Sequence, residues 1–269
     1  MYYLRSTFAV AQQTFLLLLR NRLLWLLLLA ELACLAIGVV AGTFAPPRED
    51  GRALYVQLGY WLFCFVLAPW VSMFFAIQVV HGDIEDRTFQ YLFLRPVRRS
   101  ALLLGKWLAV AALCGAALAL GVALLFVAIT LPGSRWIGTP EWQLVPVFAG
   151  TTAAAAVAYT AIATWFAARF RRPLVWAAMF LVGLQHAIAF LPAQASLRVI
   201  TVADPVRRIL YRSLDLEPRL ARDLWPTERE WRPELVGQPE LNLLLIVVIS
   251  LALGLWVYCR SEYDSRPRE

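Results

Sequence analysis

Glu31 and His186 are the side chains of this 269-residue chain whose types invite chemistry, because each sits deep in a stretch of otherwise apolar residues. A carboxylate and an imidazole brought together can pass a proton, hold a polar substrate or tie two helices to one another. No second acid, nucleophile or metal cluster accompanies them, so a catalytic dyad is the poorer reading. A place on a substrate path and a role as interhelical glue weigh equally. Cys34, Cys64, Cys114 and Cys259 lack metal-ligand spacing and read as small apolar packers.

The elements that must position these groups follow from composition. Hydrophobic residues make up 61% of the chain and charged ones 16%, well under the roughly 25% charged of a soluble domain. Nearly charge-free runs at about 23–42, 54–80, 101–131, 142–168, 174–191 and 241–259 each approach or exceed the ~20 residues that cross a bilayer as a helix. Backbone groups in lipid must be satisfied within the segment, so the chain reads as an all-α integral membrane protein with six transmembrane helices in a single domain, 1–269. The first run is too long and too far from the start for a cleaved signal peptide and reads as a retained span. At about 1.5 Å per residue, Glu31 lies about 12 Å and His186 about 18 Å from the same membrane face, close enough in depth to meet.

Six spans put both termini on one side. Short segments on that side hold fourteen Lys and Arg residues (Arg5, Arg20, Arg22, Arg87, Arg95, Arg98, Arg99, Lys106, Arg169, Arg171, Arg172, Arg260, Arg266, Arg268), against Arg48, Arg52 and Arg135 opposite. Both termini are therefore expected in the cytoplasm, in a multi-pass protein of the bacterial inner membrane. The long segment 192–240 carries eight arginines and eight carboxylates and constrains orientation weakly. Basic residues divided among loops do not make a nucleic-acid surface.

Residues 4–19 place Leu4, Phe8, Ala11, Phe15 and Leu18 at helical spacing, which predicts an interfacial helix ending at Arg20-Asn21-Arg22. Tyr55, Tyr60, Trp61, Trp136 and Trp142 cluster at one set of span ends and Trp107, Trp165, Trp176 and Trp256 at the other, as interfacial belts do. Gly38 and Gly42 are spaced for a close helix contact. The small residues 151–156 read first as helix filler, with a close contact as the alternative. In 192–240, Asp204-Pro205 predicts a helix start with Asp204 as cap, and Val206, Leu210 and Leu214 share a face. This outer helical segment is expected to rest on the outer surface or dip into it, gating an exit or docking an extracytoplasmic protein.

The segment 82–94 between spans two and three is amphipathic. Ile84, Thr88, Phe89, Tyr91 and Leu92 occupy one arc of a helix, and Asp83, Asp86, Arg87 and Gln90 the other. Asp83, Glu85 and Asp86 in its first turn suit the helix dipole, and Pro96 stops the helix at Arg95. Arg95, Arg98, Arg99 and Lys106 are placed to meet anionic head groups of the inner leaflet. By periodicity alone the helix lies on the bilayer or docks in a partner's groove.

Glu85, Thr88, Pro96-Val97, Arg99 and Gly105-Lys106, in this order between two spans, resemble the permease subunits of type-2 ABC transporters, the ABC-2 family. The chain departs from the family pattern at Asp86-Arg87, where a glycine often precedes the threonine. The resemblance implies that 83–94 is a coupling helix seated on a separate ATPase subunit, with Asp83, Ile84, Glu85, Asp86, Arg87, Thr88, Phe89, Tyr91 and Leu92 as its contact. It further implies a dimer of permease subunits, identical or not, with export as the direction. Gly105-Lys106 is followed by Trp107, and Ser100 stands where the first glycine of a phosphate-binding loop belongs. ATP and magnesium are accordingly expected on the partner chain, with no cofactor or metal on this one. A membrane-embedded enzyme using Glu31 and His186, or a membrane scaffold, are the competing readings.

Overall fold

A computed structural model of the chain describes residues 2–44, 50–85, 98–130, 140–186, 201–214 and 238–260, and the regular structure among them is helical throughout. The helices are α1 (Tyr2–Leu19), α2 (Leu23–Phe44), α3 (Gly51–Leu58), α4 (Ala68–Glu85), α5 (Arg99–Thr130), α6 (Leu144–Arg169), α7 (Pro173–Met179), α8 (Ala203–Leu214) and α9 (Pro239–Arg260). A π-helical stretch, Gly59–Leu67, joins α3 to α4, and a second, Phe180–His186, extends α7. Five helical units are long and apolar enough to cross a membrane: Leu23–Phe44, Gly51–Gly82, Arg99–Thr130, Leu144–Arg169 and Pro239–Arg260. They coincide with five of the six expected spans. The other, expected at 174–191, is helical from Pro173 to His186, and 187–191 lie outside the described residues.

Local chemistry sets the boundaries. The Asn21 side chain accepts the Leu23 amide at 3.1 Å and caps α2, which separates it from α1 at the expected turn. Asp50 caps α3 in the same way through the Arg52 amide at 3.0 Å. Proline opens α9 and stands in the first turn of α7, where a missing N–H leaves no bond unmade. Pro69 has a different effect, because it lies inside span two. Its ring would collide with the carbonyl four residues back, and the turn before it widens, so that the Ala68 N–H bonds to the Phe63 carbonyl five residues back.

Helix α6 is the hub, with α4, α5, α7, α8 and α9 all packed against it. Its small residues are contact surface and not filler: Thr152, Ala155, Ala156, Ala158, Thr160, Ala161, Ala163 and Thr164 are fully enclosed. Their hydroxyls are satisfied within the helix, Thr152 donating to the Phe148 carbonyl at 2.6 Å and Thr164 to the Thr160 carbonyl at 2.7 Å. At the end opposite the arginine-rich one, Tyr55 packs edge-on against Phe126 and Phe148, and its hydroxyl donates to the Val122 carbonyl at 3.4 Å. Tyr55 and Tyr60 are thus core residues, contrary to the belt expectation, whereas Trp142, Trp176 and Trp256 are exposed as a belt requires.

The rim helices touch this core along narrow seams. On α2 the buried residues are Leu27, Glu31, Cys34 and Gly38, and on α9 they include Leu243, Val247, Ser250 and Gly254. Both sets follow the alternating four- and three-residue spacing of a coiled-coil seam. Their other faces expose apolar side chains, among them Trp25, Leu29, Leu32, Leu241, Leu245 and Trp256. Gly38 lies close to α5 at this crossing: a Cβ there would stand 2.6 Å from the Leu125 side chain, which would have to shift. Helix α1 lies along α5 and crosses it at Gly105, where a Cβ would stand 2.7 Å from the Thr7 carbonyl oxygen and 2.8 Å from the Val10 Cβ. The α1 stripe divides: Leu18 faces the protein and Ala11 and Phe15 are half-buried, while Leu4 and Phe8 are 73% and 71% exposed; Thr7, off the stripe, is buried.

Gly105→Ala should therefore push α1 off α5, lowering stability by about 1–3 kcal/mol through overpacking against backbone. Gly115→Ala, whose Cβ would meet Ala153 at an ordinary 3.6 Å, should be neutral or stabilising by up to about 1 kcal/mol. Thermal unfolding of the two variants in detergent checks this, and equal shifts would refute it.

Candidate functional site

The charged segment between spans two and three leaves from one long helix and returns on another. Helix α4 runs beyond the apolar part of span two to Glu85, so Asp83, Ile84 and Glu85 continue that span's helix. Their side chains, and Asp86, Arg87, Thr88, Phe89, Tyr91, Leu92 and Arg95, lie outside the described residues. Arg98 is exposed, and its carbonyl accepts the amides of Ala101 and Leu102 at 3.0 and 3.2 Å, which starts α5.

Beyond the charged segment the two flanking helices are fastened together. The Lys106 ammonium on α5 donates to the Val79 carbonyl on α4 at 3.1 Å. The expectation that Lys106 anchors head groups is corrected here, because its side chain is only 7% exposed and points between helices. Successive residues on a helix point about 100° apart, so Gly105 and Lys106 serve different neighbours: Gly105 admits α1, and Lys106 reaches α4.

Glu31 lies against α5. A Cβ built on Gly121 would stand 3.4 Å from the Glu31 carboxyl carbon and 2.5 Å from the Phe63 ring, so the glycine makes room for both. Glu31 is 5% exposed, and its Oε1 has no hydrogen-bond partner among the described residues. The His186 side chain lies outside the described residues, and with it the expected pairing. Helix α2 packs on α5, whereas α7, which the stretch ending at His186 extends, packs on α6 and α4.

Other polar groups meet inside the bundle that sequence reasoning passed over. The Tyr159 hydroxyl of α6 donates to Gln185 Oε1 at 3.4 Å, and Cys64 Sγ of the first π-helical stretch lies 3.5 Å from Thr152 Oγ1. Gln185 ends a buried row with Pro173, Ala177 and Leu181, a four-residue repeat that was visible in the sequence and marks the face toward α6. Its Nε2 has no partner among the described residues. Among those residues no group of His, Cys, Asp and Glu is arranged to hold a metal.

At the opposite end, α8 packs on α6, α9 and the first π-helical stretch, with Val206, Leu210 and Leu214 buried on the expected face. The expected cap is corrected: the Thr201 hydroxyl takes the Asp204 amide at 3.4 Å, and the Asp204 carboxylate meets Arg208 at 2.9 Å. The helix begins one residue before Asp204, which places that side chain a full turn from Arg208 and lets the pair form. Arg52 closes the end of α8 by donating to the Leu214 carbonyl at 2.9 Å.

Residues 54–202 match the family model described as ABC-2 family transporter protein, a stretch that covers more than half of the chain. It begins within α3, includes the segment 83–94 with both of its flanking helices, and ends one residue before α8. No curated protein matches the chain.

The Tyr159–Gln185 contact should tie the π-helical stretch Phe180–His186 to the hub. In a double-mutant cycle, Tyr159→Phe and Gln185→Leu should couple by about 0.6 kcal/mol, the usual worth of such a bond between membrane helices. Strictly additive effects on unfolding would show that the two groups are merely adjacent.

Proposed function

The chain belongs to the ABC-2 family of transporter proteins, and from that membership we propose that it is the permease subunit of an ATP-driven exporter of the bacterial inner membrane. ATP hydrolysed on separate nucleotide-binding subunits supplies the free energy, and two permease subunits, identical or paired with a second type, form the pathway. Both termini face the cytoplasm, on the strength of the arginine asymmetry, and the helix starting at Pro173 belongs to a sixth span. The observation that carries the reading is the family match across 54–202, which includes a charged segment set between two clasped spans.

Residues 83–94 form the coupling helix, its arc of Ile84, Thr88, Phe89, Tyr91 and Leu92 seated in a groove of the ATPase subunit. Arg95, Arg98 and Arg99 hold the segment to the inner leaflet. Displacement of that helix by the closing ATPase subunits moves α4 and α5, to which it is directly joined, relative to the rim helices. Glu31 and His186 are the proposed ionisable groups of the substrate path, and 192–240 gates the outer exit or receives an extracytoplasmic protein. The chain serves transport and not catalysis, the reading that membership of a transporter family supports.

Ile84→Asp with Tyr91→Asp should abolish co-purification with the ATPase subunit, because two carboxylates would have to be buried in an apolar groove. Elution volume and unfolding temperature of the permease alone should stay as in the wild type. Unchanged co-purification in a folded variant would remove 83–94 from the coupling role.

A further inference from the structure

We propose that Lys106 is a positioning residue of the transport cycle, a proposal that rests on the permease reading. Its ammonium clasps spans two and three across the mouth of the coupling segment, so that a push on that segment moves both spans as one body. Three observations converge on it. The lysine is enclosed, at 7% exposure, although it lies near the arginine-rich end, where a lysine ordinarily reaches for water or head groups. It donates to the Val79 carbonyl of the other flank at 3.1 Å. The residue before it, Gly105, locks the same turn of α5 beneath α1, so the lysine is held on a fixed base.

The chemistry suits a clasp. A charge-assisted bond to a carbonyl in a low-dielectric site is strong, and removing the ammonium takes this donor away from the Val79 carbonyl. The two spans therefore resist separation at this level, so that a push on either is shared by both. Methionine matches the length of the lysine stem and lacks both charge and donor, so Lys106→Met removes the clasp while keeping the packing. Arginine restores a cationic donor.

The test uses the chain purified with its ATPase subunit in lipid nanodiscs, with Cys259 replaced. Spin labels on cysteines introduced at the exposed positions Gln78 and Leu108 report the separation of the two spans. A second pair, at Leu108 and the exposed Leu253 of α9, reports motion of the clasped body against the rim. Both are measured without nucleotide and with ATP and vanadate. In the wild type and in Lys106→Arg, the Leu108–Leu253 distance should shift with nucleotide while the Gln78–Leu108 distance stays single and narrow. In Lys106→Met, the Gln78–Leu108 distance should broaden and shift by several ångström on trapping. If the Leu108–Leu253 distance ignores nucleotide in the wild type, the ATP-driven permease reading fails. If it responds, and Lys106→Met leaves the Gln78–Leu108 distance as in the wild type, the clasp is overturned, even where the variant unfolds at a lower temperature.

Discussion

Helix α6 can be surrounded on several sides only because its side chains are small. In lipid an apolar side chain gains nothing from leaving hydrocarbon for protein, so helices associate through close van der Waals contact and buried polar groups. Alanine and threonine let neighbouring backbones approach, and the approach supplies the contact. Ala155, Ala156, Ala158, Ala161 and Ala163 are fully enclosed, and α4, α5 and α9 each lie along the same helix. Threonine adds hydroxyls without new unsatisfied donors, since each bonds back to the preceding turn. A leucine-rich helix in this position would hold its neighbours further apart and reduce their mutual contact.

The rim follows from the hub. Helices α2 and α9 each turn one face to the bundle and leave the other exposed. Helix α2 attaches mainly to α5 and α9 mainly to α6, each through a seam one residue wide. Each seam contains one polar residue, Glu31 on α2 and Ser250 on α9, and the row on α7 ends in Gln185. A polar group in an otherwise apolar seam fixes register, because sliding by a turn would carry it into hydrocarbon or against an apolar neighbour. The rim helices thus combine a single buried face with a defined position. That combination suits parts that move between a few discrete arrangements.

Much of this organisation is legible in the sequence, because the bilayer enforces length and polarity together. The spans, the turn at Asn21 and the buried face of α8 are all local patterns. Lys106, Tyr55 and Tyr60 are not, because a lysine or tyrosine near the end of an apolar run belongs to the interface by default. Only the angular position of each on its helix, facing a neighbour and not lipid, decides otherwise. The alanines of α6 are similarly ambiguous, since their composition is that of a filler helix and their burial depends on what packs around them. Pro69 was legible in principle: a proline in the interior of a span must disturb the turn before it. The site residues 86–95 lie outside the described residues, so their reading rests on the sequence pattern and the family.

Span two is fastened to span three at both ends and disturbed between them. At one end the Lys106 ammonium holds the Val79 carbonyl, and at the other the Tyr55 hydroxyl holds the Val122 carbonyl with two aromatic rings packed around it. Between these ties runs the π-helical stretch Gly59–Leu67, ahead of Pro69, where the bonding pattern already departs from that of an α-helix. A helix deforms where its ladder is weakest, and kinks gather at prolines and π-bulges. Any change in span two that respects both ties must therefore fall between them. That is where Phe63 shares the room at Gly121 with Glu31, and where Cys64 meets Thr152 of the hub. The uneven part of span two therefore lies at the level of the buried carboxylate. The two features that stood apart in the sequence, a charged segment at the membrane face and an acid within it, are thus joined by one mechanically uneven helix.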